Sequence, residues 1–229
     1  MPADAGMTNA SSPLKSQRLQ GLLFCKGGFA MTTPSRKINY FSTPYLTRMA
    51  ILAAIAFILF LVQIPVVAFY KLDLSNIPVL LGAFAMGPVP GVIILAVKCL
   101  LALTRTTSAG VGDLADFMVS AALVIPAAVI YSRNKTRKSA LIGMAVGTVC
   151  MVVVGVLSNK YIMLPFYMGA YHMDMDGILK FANVGGVDSE WKLLLLVTGP
   201  FNLLKGVLLS IVTGLIYKPL SPLLHQKIK

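Results

Sequence analysis

Charged residues are scarce in this chain, and acidic residues are scarcest. Only 12% of its 229 residues are charged, with 8 acids against 20 lysines and arginines. A soluble domain typically carries about 25% charged residues, whereas hydrophobic residues reach 57% here. This composition excludes an ordinary water-soluble protein and predicts a chain that lies within a lipid bilayer.

Other features that the sequence lacks reduce the number of possible functions. The three cysteines are Cys25, Cys99 and Cys150, and two of them fall inside apolar runs, which indicates small buried side chains rather than a disulfide framework. No glycine-rich loop is followed by Lys-Ser or Lys-Thr, so the chain does not hydrolyse ATP by that route. An obvious inverted repeat with paired broken helices, a feature of many secondary carriers, is also missing.

The apolar runs predict an all-α integral membrane protein with a bundle of six transmembrane helices. Three uninterrupted runs, 46–69, 141–164 and 193–217, are each near the roughly 20 residues that a crossing helix needs. Prolines and glycines at 87–91 interrupt the apolar stretch 77–104, and a further run follows it. The interruption predicts a short helix, a tight turn and another helix, with a kink in one long helix as the alternative.

The further run, 112–131, is the fourth of the six predicted spans. With six spans, the N-terminal tail, the loop after this span and the C-terminal tail lie on one side of the membrane. These segments hold thirteen of the basic residues and a single acid, Asp4. By the positive-inside rule this side is cytoplasmic, so we expect both termini in the cytoplasm. Anionic lipid accounts for the basic residues, and a nucleic-acid partner is not expected because no aromatic platform is interleaved with them.

The domain organisation follows from these runs. Residues 41–220 are expected to form the membrane domain that binds substrate, and 221–229 a cytoplasmic tail. Residues 1–40 are expected to be a disordered tail, or sequence upstream of a start at Met31. A lipid anchor at Cys25 is not expected, because the preceding apolar run is short and Phe24 is bulky.

Polar side chains within the apolar spans mark the candidate site. Asn202 and Lys205 are three residues apart, so they share one face of the last helix. A lysine deep in a span is costly unless it faces the bundle interior or a polar ligand. The alternative is a snorkelling side chain or an interhelical hydrogen bond, which we favour for Lys160. Asn159 in the fifth span is a further candidate, and Lys98 in the third has no assigned role.

The acidic residues suggest two alternatives that we do not favour. Asp113 and Asp116 have the spacing found in membrane transferases that hold a metal and a phosphate, but those enzymes need a second acidic cluster facing the first. The sequence shows none on the same side, so Asp113 is better interpreted as an N-cap or first-turn acid of the fourth span. His172, Asp174 and Asp176 alternate in a loop without completing a ligand set. We therefore expect neither a metal site nor an enzyme.

Four ordered segments carry a family resemblance. They are KLDLSNIP at 71–78, TSAGVGDLADF at 107–117, NKY at 159–161 with LPFY at 164–167, and GPFNLLKG at 199–206. Together they resemble the substrate-binding S component of energy-coupling-factor vitamin transporters, riboflavin type, from about Leu46 to Tyr217. Two positions depart from the family pattern: Asn76 stands where an acidic residue is usual, and Asp113 where glutamate is usual.

The resemblance implies a vitamin pocket that opens to the outside of the cell. In this family the asparagine of the fifth helix and the Asn/Lys pair of the sixth hydrogen-bond the flavin ring, which here means Asn159, Asn202 and Lys205. The chemistry is reasonable, because an amide can donate and accept while an ammonium donates to a ring carbonyl.

The remaining ligand contacts implied by the resemblance come from loops. Backbone N–H groups at Gly110 and Gly112 would approach the ribityl chain, since glycine has no side chain to block them. Leu72 and Asp73, in the loop after the first helix, would also bind the substrate. This loop and the long loop 166–192 would cap the pocket.

The resemblance also implies partners. In this family an alanine motif on the first helix contacts a transmembrane coupling subunit, which joins the S component to two cytoplasmic ATPases of the ABC type. Ala50 and Ala54 match that motif, and their spacing also suits ordinary packing within the bundle. The chain would then be a multi-pass protein of a bacterial cell membrane that needs no cofactor, with riboflavin as its transported ligand.

Three alternatives remain at this point. One is an S component for another vitamin or for the flavin phosphate FMN. The second is an integral-membrane enzyme that uses Asp113 and Asp116. The third is a secondary carrier that works without a coupling module.

Overall fold

The computed structural model describes residues 42–67, 70–106, 109–170, 172, 174–182 and 189–224. Its elements, in chain order, are α1 (Thr43–Leu61), β1 (Ile64–Val67), β2 (Tyr70–Leu72), α2 (Asn76–Met86), α3 (Pro88–Ala102) with a 3₁₀ turn (Leu103–Arg105), α4 (Val111–Arg133), α5 (Arg137–Ser158), a π-helical turn (Asn159–Met163), α6 (Leu164–Ala170), α7 (Met175–Ala182), α8 (Glu190–Leu193), a second π-helical turn (Leu194–Thr198) and α9 (Gly199–Leu224). Within these described ranges the regular structure is helical apart from one two-stranded hairpin.

The first helix is shorter than the sequence predicts. The predicted span 46–69 is wrong at its end, because α1 stops at Leu61 and β1 and β2 pair as an antiparallel hairpin. Pro65 cannot continue a helix, since it lacks a backbone N–H, and the neighbouring Val and Ile residues favour extended structure. The hairpin therefore places the segment before α2 across one end of the bundle.

The predicted break in the third apolar stretch is a turn between two helices. α2 ends at Met86 and α3 begins at Pro88, with only Gly87 between them at a φ of 107°. That φ suits glycine and strains other residues. A Cβ built on Gly91 would lie 2.5 Å from Ala83 Cβ, so the two helices fold back on each other. The alternative of a single kinked helix is wrong.

Among the described residues, five helical stretches are long and apolar enough to cross a membrane. They are Thr43–Leu61, Pro88–Arg105, Val111–Arg133, Arg137–Ala170 and Glu190–Tyr217. A further apolar helix, α2, is shorter. It has 11 residues and is about 16 Å long, roughly half the thickness of the hydrocarbon core of a bilayer. Ten of its residues are buried, so α2 is surrounded by protein rather than by lipid.

The long helix α5 packs antiparallel to both α4 and α9, with glycines at the contacts. A Cβ built on Gly147 would lie 2.4 Å from the Leu123 carbonyl oxygen. One built on Gly206 would lie 2.5 Å from Thr148, and one built on Gly155 would lie 2.6 Å from the Asn202 amide. These approaches place the start of α5 beside the end of α9, and the end of α5 beside the start of α9.

Two apolar clusters fill the bundle. The larger one contains residues of the helices α1, α2, α3, α4, α5 and α9. It includes an aromatic group of Phe84, Tyr131 and Tyr217, in which the two tyrosine hydroxyl oxygens are 2.7 Å apart. The smaller cluster lies at the other end and includes Tyr70 from the hairpin and Leu194 from the second π-helical turn. The hairpin is thus anchored in the bundle by a buried side chain.

Several predictions fall on residues outside the described ranges. These are the tail 1–40, residues 107 and 108 of the second segment, residues 183–188 of the long loop, and the final residues 225–229. The number of membrane crossings and the side on which the termini lie also stay predictions.

The glycine contacts lead to a test of packing. Gly147→Ala should destabilise the protein by about 1–3 kcal/mol, because the new methyl group meets a backbone oxygen that cannot move aside cheaply. Gly169→Ala is the matched control, since a Cβ built there meets nothing within 4 Å. Unfolding in detergent, followed by circular dichroism, measures both; equal stabilities would contradict the close packing of α4 on α5.

Candidate functional site

A cavity of ≈ 430 Å³ lies at the end of the bundle where the β1–β2 hairpin sits. It is bounded by the end of α1, the hairpin, the start of α4, the end of α5 and the start of α9. Its lining residues are Phe60, Leu61, Gln63, Tyr70, Lys71, Asp73, Arg105, Thr106, Gly112, Asp113, Ala115, Asp116, Val119, Gly155, Ser158, Asn159, Met163, Phe201, Asn202 and Lys205. The volume falls within the range of small-molecule sites.

Two π-helical turns shape the wall of the cavity. One begins at Asn159 and directly follows α5, and the other ends at Thr198, directly before α9. A π-helical turn inserts one residue into a helix and changes which side chains face inward, and such turns are frequent at functional sites. Here both Asn159 and Asn202 are buried and line the cavity.

The two asparagines are held by hydrogen bonds. Asn159 Nδ2 donates to the Tyr70 hydroxyl at 2.6 Å, and this hydroxyl also hydrogen-bonds Thr198 Oγ1. Asn202 Nδ2 donates to the Thr198 carbonyl at 2.9 Å. Burial raises the pKa of Tyr70 to about 12, so the phenol stays neutral. Each amide also has a carbonyl oxygen that can accept a hydrogen bond.

Lys205 is the central cation of the site. Its Nζ donates to Asp73 Oδ2 at 2.9 Å and to Asp116 Oδ1 at 3.3 Å. An ammonium has three N–H donors, so two carboxylates use two of them and leave one for a further acceptor. Because Lys205 also lines the cavity, this third donor is available to a bound molecule.

A second buried lysine completes the charge network. Lys98 is 0% exposed, and its Nζ donates to Asp116 Oδ2 at 2.8 Å and to Asn76 Oδ1 at 3.5 Å. It also lies 5.1 Å from the centre of the Phe60 ring. Asp116 therefore bridges both lysines with its two oxygens, while the Asn76 amide in turn donates to Ser120 at 2.8 Å.

The network is electrically balanced, with two ammonium groups and two carboxylates. Burial is the largest single effect and by itself would raise the pKa of Asp73, but the Lys205 and Lys98 ammonium groups and the hydrogen bonding from Ser75 together hold that pKa below its ordinary value. Asp73 Oδ1 also accepts hydrogen bonds from the Ser75 backbone and hydroxyl. Full hydrogen bonding of this kind is what makes buried charges tolerable.

The structure brings together five of the seven residues predicted to bind substrate: Asn159, Asn202, Lys205, Gly112 and Asp73 all line the cavity. Gly110 and Leu72 are not among the lining residues. The Gly110 backbone N–H donates to Thr106 Oγ1 at 3.1 Å, and Leu72 pairs with Ile64 in the hairpin.

Two polar atoms in the cavity wall have no hydrogen-bond partner among the described residues. They are Ser158 Oγ and Asp113 Oδ2, both buried. Ser158 is 5% exposed. An unpaired buried polar atom is costly, so each of these atoms is suited to a hydroxyl group of a bound molecule. Asp113 lies in the first turn of α4, as predicted, while the N-cap is Gly110.

The partners of Lys205 were not identified from the sequence. Asp73 and Asp116 bind the same ammonium, and neither was expected to pair with a lysine. The available signal was that a lysine within an apolar span needs a polar partner, and three acids, Asp73, Asp113 and Asp116, stand in the two segments 71–78 and 107–117. Ser158 and Tyr70 gave no comparable signal.

Lys160 and Trp191 lie outside the cavity lining. The Lys160 ammonium is 3.7 Å from the centre of the Trp191 ring and 3.9 Å from the Glu190 carboxylate. The contact joins the first π-helical turn to α8. It is consistent with the structural role favoured for Lys160, because a cation on an aromatic face at a partly exposed site needs no ligand.

Comparisons with known proteins identify the family. A family model described as the substrate-specific component of the ECF transporter matches residues 44–217. The chain belongs to this family. It is 32% identical over 195 residues to riboflavin transporter RibU of Staphylococcus aureus (strain TCH60), which covers 83% of this chain and 97% of that protein.

Two further known proteins are similar to this chain and support the same family. Riboflavin transporter FmnP of Bacillus subtilis (strain 168) is 27% identical over 186 residues, which cover 78% of this chain and 92% of that protein. The solved S component of a bacterial ECF transporter matches with a TM-score of 0.61 at 30% identity, covering 79% of this chain and 97% of that one.

Family membership decides between the alternatives. S components of ECF transporters are membrane subunits that pair with a coupling subunit and two ATPases. The chain is therefore a transport subunit of a bacterial membrane, and the interpretations as an enzyme using Asp113 and Asp116 or as an independent secondary carrier are wrong.

The charge network leads to a test by double-mutant cycle. Lys98→Met and Asp116→Asn should each destabilise the protein by about 3–5 kcal/mol, because Asp116→Asn leaves the Lys98 ammonium without a carboxylate and Lys98→Met leaves the buried network with one excess negative charge. The double variant restores charge balance, so its loss of stability should be smaller than the sum of the two single losses by about 0.5–3 kcal/mol. Unfolding free energies in detergent measure the cycle.

Lys160→Met provides the control for removing a lysine. Its pair with Glu190 is partly exposed, and such pairs contribute about 1 kcal/mol or less. Strict additivity of Lys98→Met and Asp116→Asn would contradict the bridging role of Asp116.

Proposed function

We propose that this chain is the riboflavin-binding subunit of an ATP-driven ECF uptake transporter. The observation that carries the proposal is the cavity in which a buried ammonium and two buried amides converge. The names of the relatives, which are riboflavin transporters, support riboflavin as the ligand.

Recognition of the flavin ring rests on groups whose remaining hydrogen-bonding capacity faces the cavity. The third N–H of Lys205 would donate to a ring carbonyl, because Asp73 and Asp116 hold its other two. The amides of Asn159 and Asn202 would accept from the imide N–H and donate to the neighbouring carbonyls. The Phe201 ring lines the same cavity and offers an apolar surface to the ring system.

Recognition of the ribityl chain rests on the other unpaired groups. Ser158 Oγ and Asp113 Oδ2 are buried in the wall and have no partner among the described residues. The hydroxyl groups of a sugar alcohol supply both donors and acceptors, so they satisfy these atoms. Gly112 lets the ligand approach the backbone closely at the start of α4.

FMN is a second candidate ligand. Two exposed cations, Lys71 and Arg105, line the same cavity, and a phosphate ester at the end of the ribityl chain would pair with them. Comparing the affinities for riboflavin and FMN in wild-type protein and in Arg105→Gln separates the two ligands. A selective loss of FMN binding supports this candidate.

The proposed orientation places the cavity outside the cell. The end of α1, the start of α4 and the end of α5 line the cavity, so the exposed Arg48 at the start of α1 and the loop between α4 and α5 lie at the opposite end of the bundle. Basic ends face the cytoplasm. With six crossings, both termini would lie there.

Coupling to the ATPases would use one face of α1. Ala50 and Ala54 are both exposed, whereas Ala53 and Ala56 are buried in the core. Small exposed side chains four residues apart allow another membrane helix to approach closely. We propose that the transmembrane coupling subunit docks here and connects the chain to two cytoplasmic ATPases.

The ligand assignment is tested with Lys205→Ala. Loss of the charge-assisted hydrogen bond, worth about 1.5–3 kcal/mol, should weaken riboflavin binding about ten- to a hundredfold. Quenching of riboflavin fluorescence by the purified protein measures the affinity. Lys160→Ala, outside the cavity, should bind as the wild type does. Unchanged affinity in folded Lys205→Ala protein would exclude Lys205 from the binding site.

The docking face is tested with Ala50→Trp and Ala54→Trp. Each large side chain should abolish co-purification with the coupling subunit and ATP-dependent riboflavin uptake, while riboflavin binding to the isolated chain survives. Val149→Trp is the control, because Val149 is 62% exposed on a different helix. Uptake that persists in both alanine variants would place the docking face elsewhere.

A further inference from the structure

A groove lies between α5 and α9 at the end of the bundle opposite the cavity. Its volume is ≈ 260 Å³, and the residues that line it come from the start of α5 and the end of α9. We call it the α5–α9 groove. None of its lining residues belongs to the riboflavin cavity, and the proposed coupling face lies on α1, so neither proposed role accounts for it.

The walls of the groove are apolar and face outward. Leu141 is 58% exposed, Ile211 57% and Leu215 70%. Gly214 opens the groove between them, because a Cβ built there would have only Leu141 at 3.8 Å and Met144 at 4.0 Å nearby. In a bilayer such a surface is filled by an acyl chain.

The end of the groove is strongly basic. Arg137 lines it, and three further exposed cations are close to it in sequence: Arg133 at the end of α4, Lys135 in the turn that follows and Lys138 in the first turn of α5. No acidic residue occurs between Asp116 and Asp174 in the sequence, and no ion pair involves these four cations within the part of the chain that the structure describes. A negative group must come from outside this region of the chain.

We propose that the α5–α9 groove binds an anionic phospholipid, with one acyl chain on Gly214 and the phosphate group at Arg137. Basic pockets between transmembrane helices are sites for anionic headgroups, and one basic residue near the surface contributes about a fivefold preference. The apolar walls select an amphiphile rather than free phosphate, and the basic end selects its charge.

The test compares two lipids with the same acyl chains, phosphatidylglycerol and phosphatidylcholine. Each is titrated into the purified full-length protein in detergent, and native mass spectrometry measures the bound fraction. The wild type should retain phosphatidylglycerol about fivefold more tightly. Arg137→Gln should remove this preference, whereas Arg48→Gln, which removes an exposed charge from α1, should keep it.

A second variant tests the acyl-chain part of the site. Gly214→Leu fills the groove without changing charge, so it should weaken retention of both lipids. Equal retention of the two lipids by the wild type would show that the groove takes bulk lipid without selecting charge. Equal losses in Arg48→Gln and Arg137→Gln would show a diffuse surface attraction. Unchanged retention in Gly214→Leu would place the lipid elsewhere, and any of these results overturns the proposal.

Discussion

The bridge that Asp116 makes between two buried lysines is the interaction on which the site depends. One carboxylate from α4 binds Lys98 of α3 and Lys205 of α9, and Lys205 binds Asp73 in the loop before α2. Charges this deep are tolerable only in balance and with full hydrogen bonding. The requirement fixes three helices and one loop relative to each other, and it fixes the one ammonium N–H that remains for a ligand.

Close packing of the helices supplies the second constraint. Glycines bring α5 against α4 and α9 so closely that a methyl group at Gly147, Gly155 or Gly206 would overlap a neighbour. In lipid there is little hydrophobic force between helices, and packing of small residues takes its place. Since Gly155 is the residue against which Asn202 lies, the same packing sets the position of a cavity amide.

Much of the fold could be predicted from the sequence, because long apolar runs and a Gly-Pro break are local signals. The hairpin was missed because residues 62–67 are as apolar as the helix before them, and hydropathy cannot distinguish a strand there. The partners of Lys205 were missed for a different reason. Lys205 and Asp73 are separated by 132 positions, and only the packing of the helices shows that they meet. Three candidate residues could be identified from the sequence because they are polar groups within apolar spans: Asn159, Asn202 and Lys205.

We propose above all that an ammonium held by two carboxylates at the wall of the cavity presents its remaining N–H to riboflavin. A crystal structure of the protein with riboflavin tests it most directly. We expect a ring carbonyl within about 2.7–3.2 Å of Lys205 Nζ, with the bonds from Lys205 to Asp73 and Asp116 still in place. Riboflavin bound outside this cavity, or bound within it without contact to Lys205, would contradict the claim.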